Sequence, residues 1–202
     1  EVGGDKGAGF TGGSGGLIVG EAGMARSFKG ELAVRAGELE EGATLILRFN
    51  NTGSAVEEAI EVGSEEIRIS FSSSEGNLFS VSLIGAVLNI GDFATLEGSF
   101  TFQSQGDYEV LGGSDLTLFV GEGPARLEDG EINPFARGLL VTNATVGLVR
   151  SGEEGPMALE ATGSVSAVGF SGLILEGTTR VRINTFESAI SEAIGIEGSD
   201  QV

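Results

Sequence analysis

Hydrophobic and polar residues alternate with period two along most of the chain. FKGELAVRA (28–36), TLILRFN (44–50), EEIRISFSSS (65–74), NLFSVSLIG (77–85), LEGSFTFQS (96–104), SDLTLFVG (114–121), GLLVTNATVGLVR (138–150), MALEATGSVSAVGF (157–170) and TTRVRIN (178–184) each read as a strand, because a pleated backbone turns successive side chains to opposite faces. Ile67, Ile69 and Phe71 share one face, and Glu66, Arg68 and Ser70 the other. Val, Ile, Phe and Thr suit a half-buried pleated surface, and the glycines between the runs supply turns. Two segments fit a helical turn and an edge strand equally, GSAVEEAIEVG (53–63) and ESAISEAIGIEG (187–198). Val56, Ala59 and Ile60 have helical spacing, and Ser54 with Glu57 has the form of a capping box, yet Val56, Glu58, Ile60 and Val62 alternate.

The pattern predicts an all-β chain. Asn-Gly and Asp-Gly, which mark tight antiparallel hairpins, are almost missing; Asp129–Gly130 is the single case. That scarcity favours a β-solenoid or β-helix-like stack of Gly-punctuated strands, with antiparallel β-sandwich repeats as the alternative. The first sixteen residues, EVGGDKGAGFTGGSGG, are half glycine, have little to bury and read as a flexible arm or linker. Phe10 is the one large apolar group there. Residues 17–202 then form the β-repeat domain.

An internal repeat organises that domain. RFNNTGSAVEEAIEV (48–62) aligns without a gap with RINTFESAISEAIGI (182–196), an offset of 134 from Arg48 to Arg182. Asn50 meets Asn184, Ser54–Ala55 meets Ser188–Ala189, and Glu58–Ala59–Ile60 meets Glu192–Ala193–Ile194. FKGEL (28–32) is matched with FSGLI (170–174) at another offset, and IGAVLNIGDFATLEGSFTF (84–102) more weakly with 162–183. The chain thus reads as about one and a half copies of a unit of roughly 130–140 residues. The second copy breaks off where the first continues into EEIRISFSS, so a neighbour is expected to finish its sheet, by strand addition to an open edge.

The succession GLLVTNATVGLV, MALEATGSVSAVGFSGLILEGTTRVRINT, SAISEAI resembles the tandem repeats of very large secreted bacterial surface proteins, in which copies ending in an xVRxNTTG-like strand recur along one polypeptide. RFNNTGSAV (48–56) and VRINTFESAI (181–190) carry the likeness, which covers most of residues 28–202. The second copy departs from it at Phe186 and Glu187, where Thr-Gly stands in the pattern. The resemblance implies an extracellular structural or adhesive role and brings no catalytic residue set.

Composition narrows the chemistry. The 202 residues include 35 Gly but no Cys, His or Trp, so disulfides, thiol nucleophiles and the commonest general base are excluded. A net charge of −19 repels phosphate backbones and excludes nucleic acid as a partner. No apolar run of about 18 residues crosses a membrane. The lysines are Lys6 and Lys29, neither in a Ser-x-x-Lys pattern, and the Asp residues (5, 92, 107, 115, 129, 200) are scattered. Carboxylate doublets at Glu40–Glu41, Glu57–Glu58, Glu65–Glu66 and Glu153–Glu154 place neighbours on opposite faces of a strand, so they do not form catalytic pairs. Sugar platforms are also scarce, with Tyr108 the one tyrosine.

Ca²⁺ is the one ion worth considering, at acidic turns such as Glu128–Glu131 and Gly106–Asp107; GGSD (112–115) is a fragment of a calcium-binding nonapeptide. Asn50 and Asn143 begin N-x-[ST] sequons, and strand threonines are their simpler explanation. Phe71, Phe79, Phe100, Phe102, Phe119 and Phe170 are expected in the core. The expected function is non-enzymatic: a structural subunit or repeat of an extracellular filament, sheath or giant surface protein, secreted or at the cell surface, self-associating through its termini and open strand edges. The alternative is an adhesin or glycan-binding surface module stiffened by calcium. No catalytic, cofactor-binding or metal residue is assigned.

Overall fold

The computed structural model describes residues 9–33, 40, 42–90, 94–105, 107–124, 126–127, 131, 133–152, 155–191 and 194–195. Among these the chain is all-β. The strands are β1 (Phe10–Gly20), β2 (Gly23–Leu32), β3 (Thr44–Asn50), β4 (Val56–Val62), β5 (Glu65–Phe71), β6 (Leu78–Ile90), β7 (Ala94–Gln105), β8 (Tyr108–Glu122), β9 (Arg137–Ser151), β10 (Met157–Val168) and β11 (Glu176–Asn184). Nine of them form one sheet in the order β1-β2-β3-β6-β7-β8-β9-β10-β11, and β4 and β5 form a separate hairpin.

Every strand pairing is antiparallel. The solenoid-like stack expected from the missing Asn-Gly and Asp-Gly pairs is therefore not what forms, and the sheet does not close into a barrel. The turns use other residues. Val62 pairs with Glu65 around Gly63–Ser64, with Gly63 at φ 65°, and Gly20 pairs with Gly23 around Glu21–Ala22. The flexible arm expected over 1–16 is strand from Phe10 onward, paired with β2; residues 1–8 lie outside the described residues. The segment 53–63, open between helix and strand, supplies β4.

The β4–β5 hairpin lies over β1 and β2. Ile69 and Phe71 of β5 bury themselves with Ala25 and Leu78, and Ile18, Val56 and Ile60 pack around them. As the alternation predicts, Glu66, Arg68 and Ser70 face outward. A smaller core of Phe119, Ala136 and Leu140, with Val168 against it, forms where the segment before β9 folds back. Two of the expected core phenylalanines are buried, Phe71 and Phe119, and Phe100 is partly covered. Phe79 and Phe102 are exposed instead, because a single sheet layer leaves one face of these strands without a partner, and Phe170 is exposed in the turn between β10 and β11.

The start and the end of the sheet are built alike. Ile18 pairs with Ala25, and Ala25 with Asn50; Val149 pairs with Ala158, and Ala158 with Asn184. The bulges coincide as well. Residues 12–13 are skipped opposite Gly30, with Gly12 at φ 59°, and residues 143–144 opposite Gly163, with Asn143 at φ 48°. Asn tolerates this left-handed conformation better than other side-chain-bearing residues, which accounts for the residue at the second sequon. By contrast Phe28 lies within β2 and Phe170 begins the turn before β11, so the likeness of 28–32 to 170–174 is not kept in the fold.

Candidate functional site

Two features of the last strands mark a candidate interaction surface. β11 pairs with β10 on one side only, and all nine of its residues are exposed. Beside it, on one face of the sheet, runs a groove of about 500 Å³. Its floor is Gly147, Val149 and Ala158; its walls include Arg182, Asn184, Ile190 and Ile194.

The turn that follows each Arg-x-Asn sets the groove wall. Asn50 Nδ2 donates to the Ser54 carbonyl at 2.9 Å, and Thr52 N–H donates back to Asn50 Oδ1 at 3.0 Å. Asn184 Nδ2 donates to the Ser188 carbonyl at 3.0 Å, and Phe186 N–H donates to Asn184 Oδ1 at 2.9 Å. The departure from Thr to Phe at residue 186 leaves the backbone turn intact, because that bond uses only the main-chain N–H. The Phe186 ring lies 6.4 Å from that of Tyr108.

The neighbours of the two turns differ. Around the first, Arg48 stacks 4.7 Å from the Phe71 ring centre, donates to the Ser70 carbonyl at 2.8 Å and pairs with Glu75 at 2.5 Å. Glu75 also accepts from Ser72 N–H and Ser72 Oγ. Burial pushes the Glu75 carboxyl up, but the Ser72 N–H, the Arg48 and Ser72 hydrogen bonds and the Arg48 charge outweigh it and hold it below the usual carboxylate range. Asn50 donates a further bond to the Glu75 carbonyl at 3.0 Å. Around the second, Arg182 meets Glu160 at 3.3 Å, and Glu160 is paired mainly with Arg180. The hydrogen bond from Arg180 is the main influence lowering the exposed Glu160 carboxyl.

The other candidate groups do not converge. Glu40 accepts from Asn89 at 2.8 Å, and Glu66 pairs with Arg68 at 2.7 Å. Glu57 and Glu58 alternate along β4, both exposed. Glu41, Glu128, Asp129, Glu153 and Glu154 lie outside the described residues, as does Gly106, while Asp107 is exposed. GGSD (112–115) lies within β8, its Asp115 at a bulge with φ 54°. Among the described residues no three Asp or Glu gather as a metal set, and no helix is long and apolar enough to cross a membrane. Asn50 is buried, with its amide committed to the turn.

Sequence reasoning located the Arg-x-Asn segments but missed the floor beneath them. Its signal lies in Gly16-Leu17-Ile18 against Gly147-Leu148-Val149 and in Met24-Ala25 against Met157-Ala158, short pairs that gain meaning once the strand register is known. Comparison of the chain with protein-family models, with curated proteins and with solved structures finds no match.

Proposed function

We propose that this chain is a non-enzymatic structural unit of an extracellular filament, sheath or giant surface protein, joined to its neighbours through open strand edges. The observation that carries the reading is the outer edge of β11, exposed along its whole length and flanked by a groove of mixed lining, with Val149, Ile190 and Ile194 beside Arg182 and Asn184. A bare edge presents a row of backbone donors and acceptors, and isolated proteins normally protect such edges by charge, proline or cover. β11 has Glu176, Arg180 and Arg182 but no proline, and among the described residues no strand pairs with its outer side. β1 forms the opposite edge of the sheet. Contact between two different edges is heterologous, and it builds an open filament where its rotation does not close a ring. Main-chain hydrogen bonds supply the affinity, and the alternating side chains set the register.

Sedimentation velocity over a wide concentration range tests this. The wild-type chain is expected to form a ladder of larger species. Thr179→Glu with Val181→Glu adds charge to an edge already on an acidic chain and is expected to abolish the ladder while the monomer stays folded. Saturable glycan binding by a chain that remains monomeric would favour the adhesin reading instead.

A further inference from the structure

We propose that the groove beside β11 is the seat of an extended strand of β5 chemistry, supplied by an adjoining repeat unit. This rests on reading the β11 side as an assembly surface and names what that surface receives. The strand carries aliphatic and aromatic side chains two residues apart, as Ile69 and Phe71 are, and a carboxylate four residues after the aromatic, as Glu75 is.

The first turn of the repeat shows the seat filled. A Cβ on Gly16 would stand 2.9 Å from Ile60 Cδ1 and 2.8 Å from Ile69 Cδ1, so the glycine is the floor on which both hairpin strands rest. Gly147 occupies the same register position, next to Val149 as Gly16 is next to Ile18. Among the described residues a Cβ there would meet only Ile194 Cδ1, at 3.2 Å. Ile194 holds the place of Ile60; no described residue takes the place of Ile69. The same holds one strand over, where Ala25 is wholly buried under the hairpin and Ala158 lines the groove.

The polar groups agree. Arg48 is covered by Phe71 and held by Glu75, with its side chain 18% exposed; Arg182 stands 69% exposed. Asn184 makes the bonds of its own turn but lacks the counterpart of the bond from Asn50 to the Glu75 carbonyl. A β5-type strand supplies all three missing partners at once: an aliphatic group over Gly147, an aromatic face for Arg182, and a carboxylate residue whose side chain pairs with Arg182 and whose carbonyl accepts from Asn184. The β5 of a folded second copy already rests on its own Gly16, so it is not the occupant.

The test uses the full chain and a labelled peptide of residues 63–77, GSEEIRISFSSSEGN, read by fluorescence anisotropy and by amide chemical shifts. Saturable binding is expected, with shifts gathered on Gly147, Ala158, Asn184 and Ile194. Gly147→Leu fills the groove and is expected to weaken binding at least tenfold, as is a peptide with Ile69→Ser and Phe71→Ser. Arg182→Gln is expected to weaken it several-fold and to remove its dependence on the peptide's Glu75. The peptide variant and Arg182→Gln keep the test decisive if Gly147→Leu fails to fold.

The proposal is overturned by no binding at millimolar peptide, by binding indifferent to these changes, or by shifts that map elsewhere. A groove occupied by a second copy, seen as a dimer whose groove shifts the peptide cannot displace, also overturns it. Sedimentation of the same samples separates the two readings. Self-association without peptide binding leaves assembly standing and removes this seat; peptide bound in the groove by a chain that stays monomeric supports the seat and removes assembly between copies.

Discussion

Asn50 and Asn184 make the same backbone turn in different surroundings, and the difference sets their energetic weight. Asn50 is 1% exposed and bonds the Ser54 and Glu75 carbonyls. Replacing it by Ala removes both bonds of a buried amide, so Asn50→Ala is expected to cost about 2 kcal/mol in urea unfolding, while Asn184→Ala costs less than about 1 kcal/mol. Ser114 is the opposite case. Its Oγ is buried with no hydrogen-bond partner among the described residues, so Ser114→Ala is expected to be neutral or to stabilise by up to about 1 kcal/mol in the same assay.

Glu75 gives the pH dependence. Its carboxyl is held below its ordinary 4.5 in the folded chain, so the unfolded chain binds more protons there. Its stabilising contribution is therefore complete above about pH 4.5 and lost as pH falls through the lowered value. Wild type should lose stability more steeply than Glu75→Gln below pH 4.5, with the two converging at lower pH. Equal slopes would contradict the Arg48–Glu75 assignment.

Among the elements, legibility followed side-chain contrast. β3, β5 and β9 were plain in the sequence because large apolar and polar residues alternate there. β1 was not, because glycine fills five of its eleven positions and carries no side chain to alternate; pairing with β2 makes it a strand. β4 was ambiguous because Ala59 and Ile60 serve either period, and the Asn50 turn, which leads the chain into a hairpin with β5, decides it. The solenoid-like stack expected from scarce Asn-Gly and Asp-Gly does not form, since Gly63–Ser64 and Glu21–Ala22 turn antiparallel strands without them. Ile69 is fully buried between the hairpin and the sheet. Ile69→Ala is thus expected to cost about 2–5 kcal/mol, and hydrogen exchange should show β1, β4 and β5 losing protection together. At the β9 bulge, Asn143→Val is expected to cost about 1–2 kcal/mol, because a β-branched residue resists positive φ, while Asn143→Gly stays near neutral.

Over the whole molecule, one sheet order explains why the candidate site was only half visible. The gapless match of 48–62 with 182–196 flagged the two turns, but Gly147, Val149 and Ala158 become one surface only when β9, β10 and β11 lie side by side. The same order puts β1 and β11 at opposite edges, the two edges that the proposed assembly would join. The most direct test of that account is electron microscopy of the native material beside the isolated chain. Linear assemblies with a constant axial repeat, lost in Thr179→Glu/Val181→Glu, are the expected result. Dispersed particles of a single small size in both preparations would contradict it.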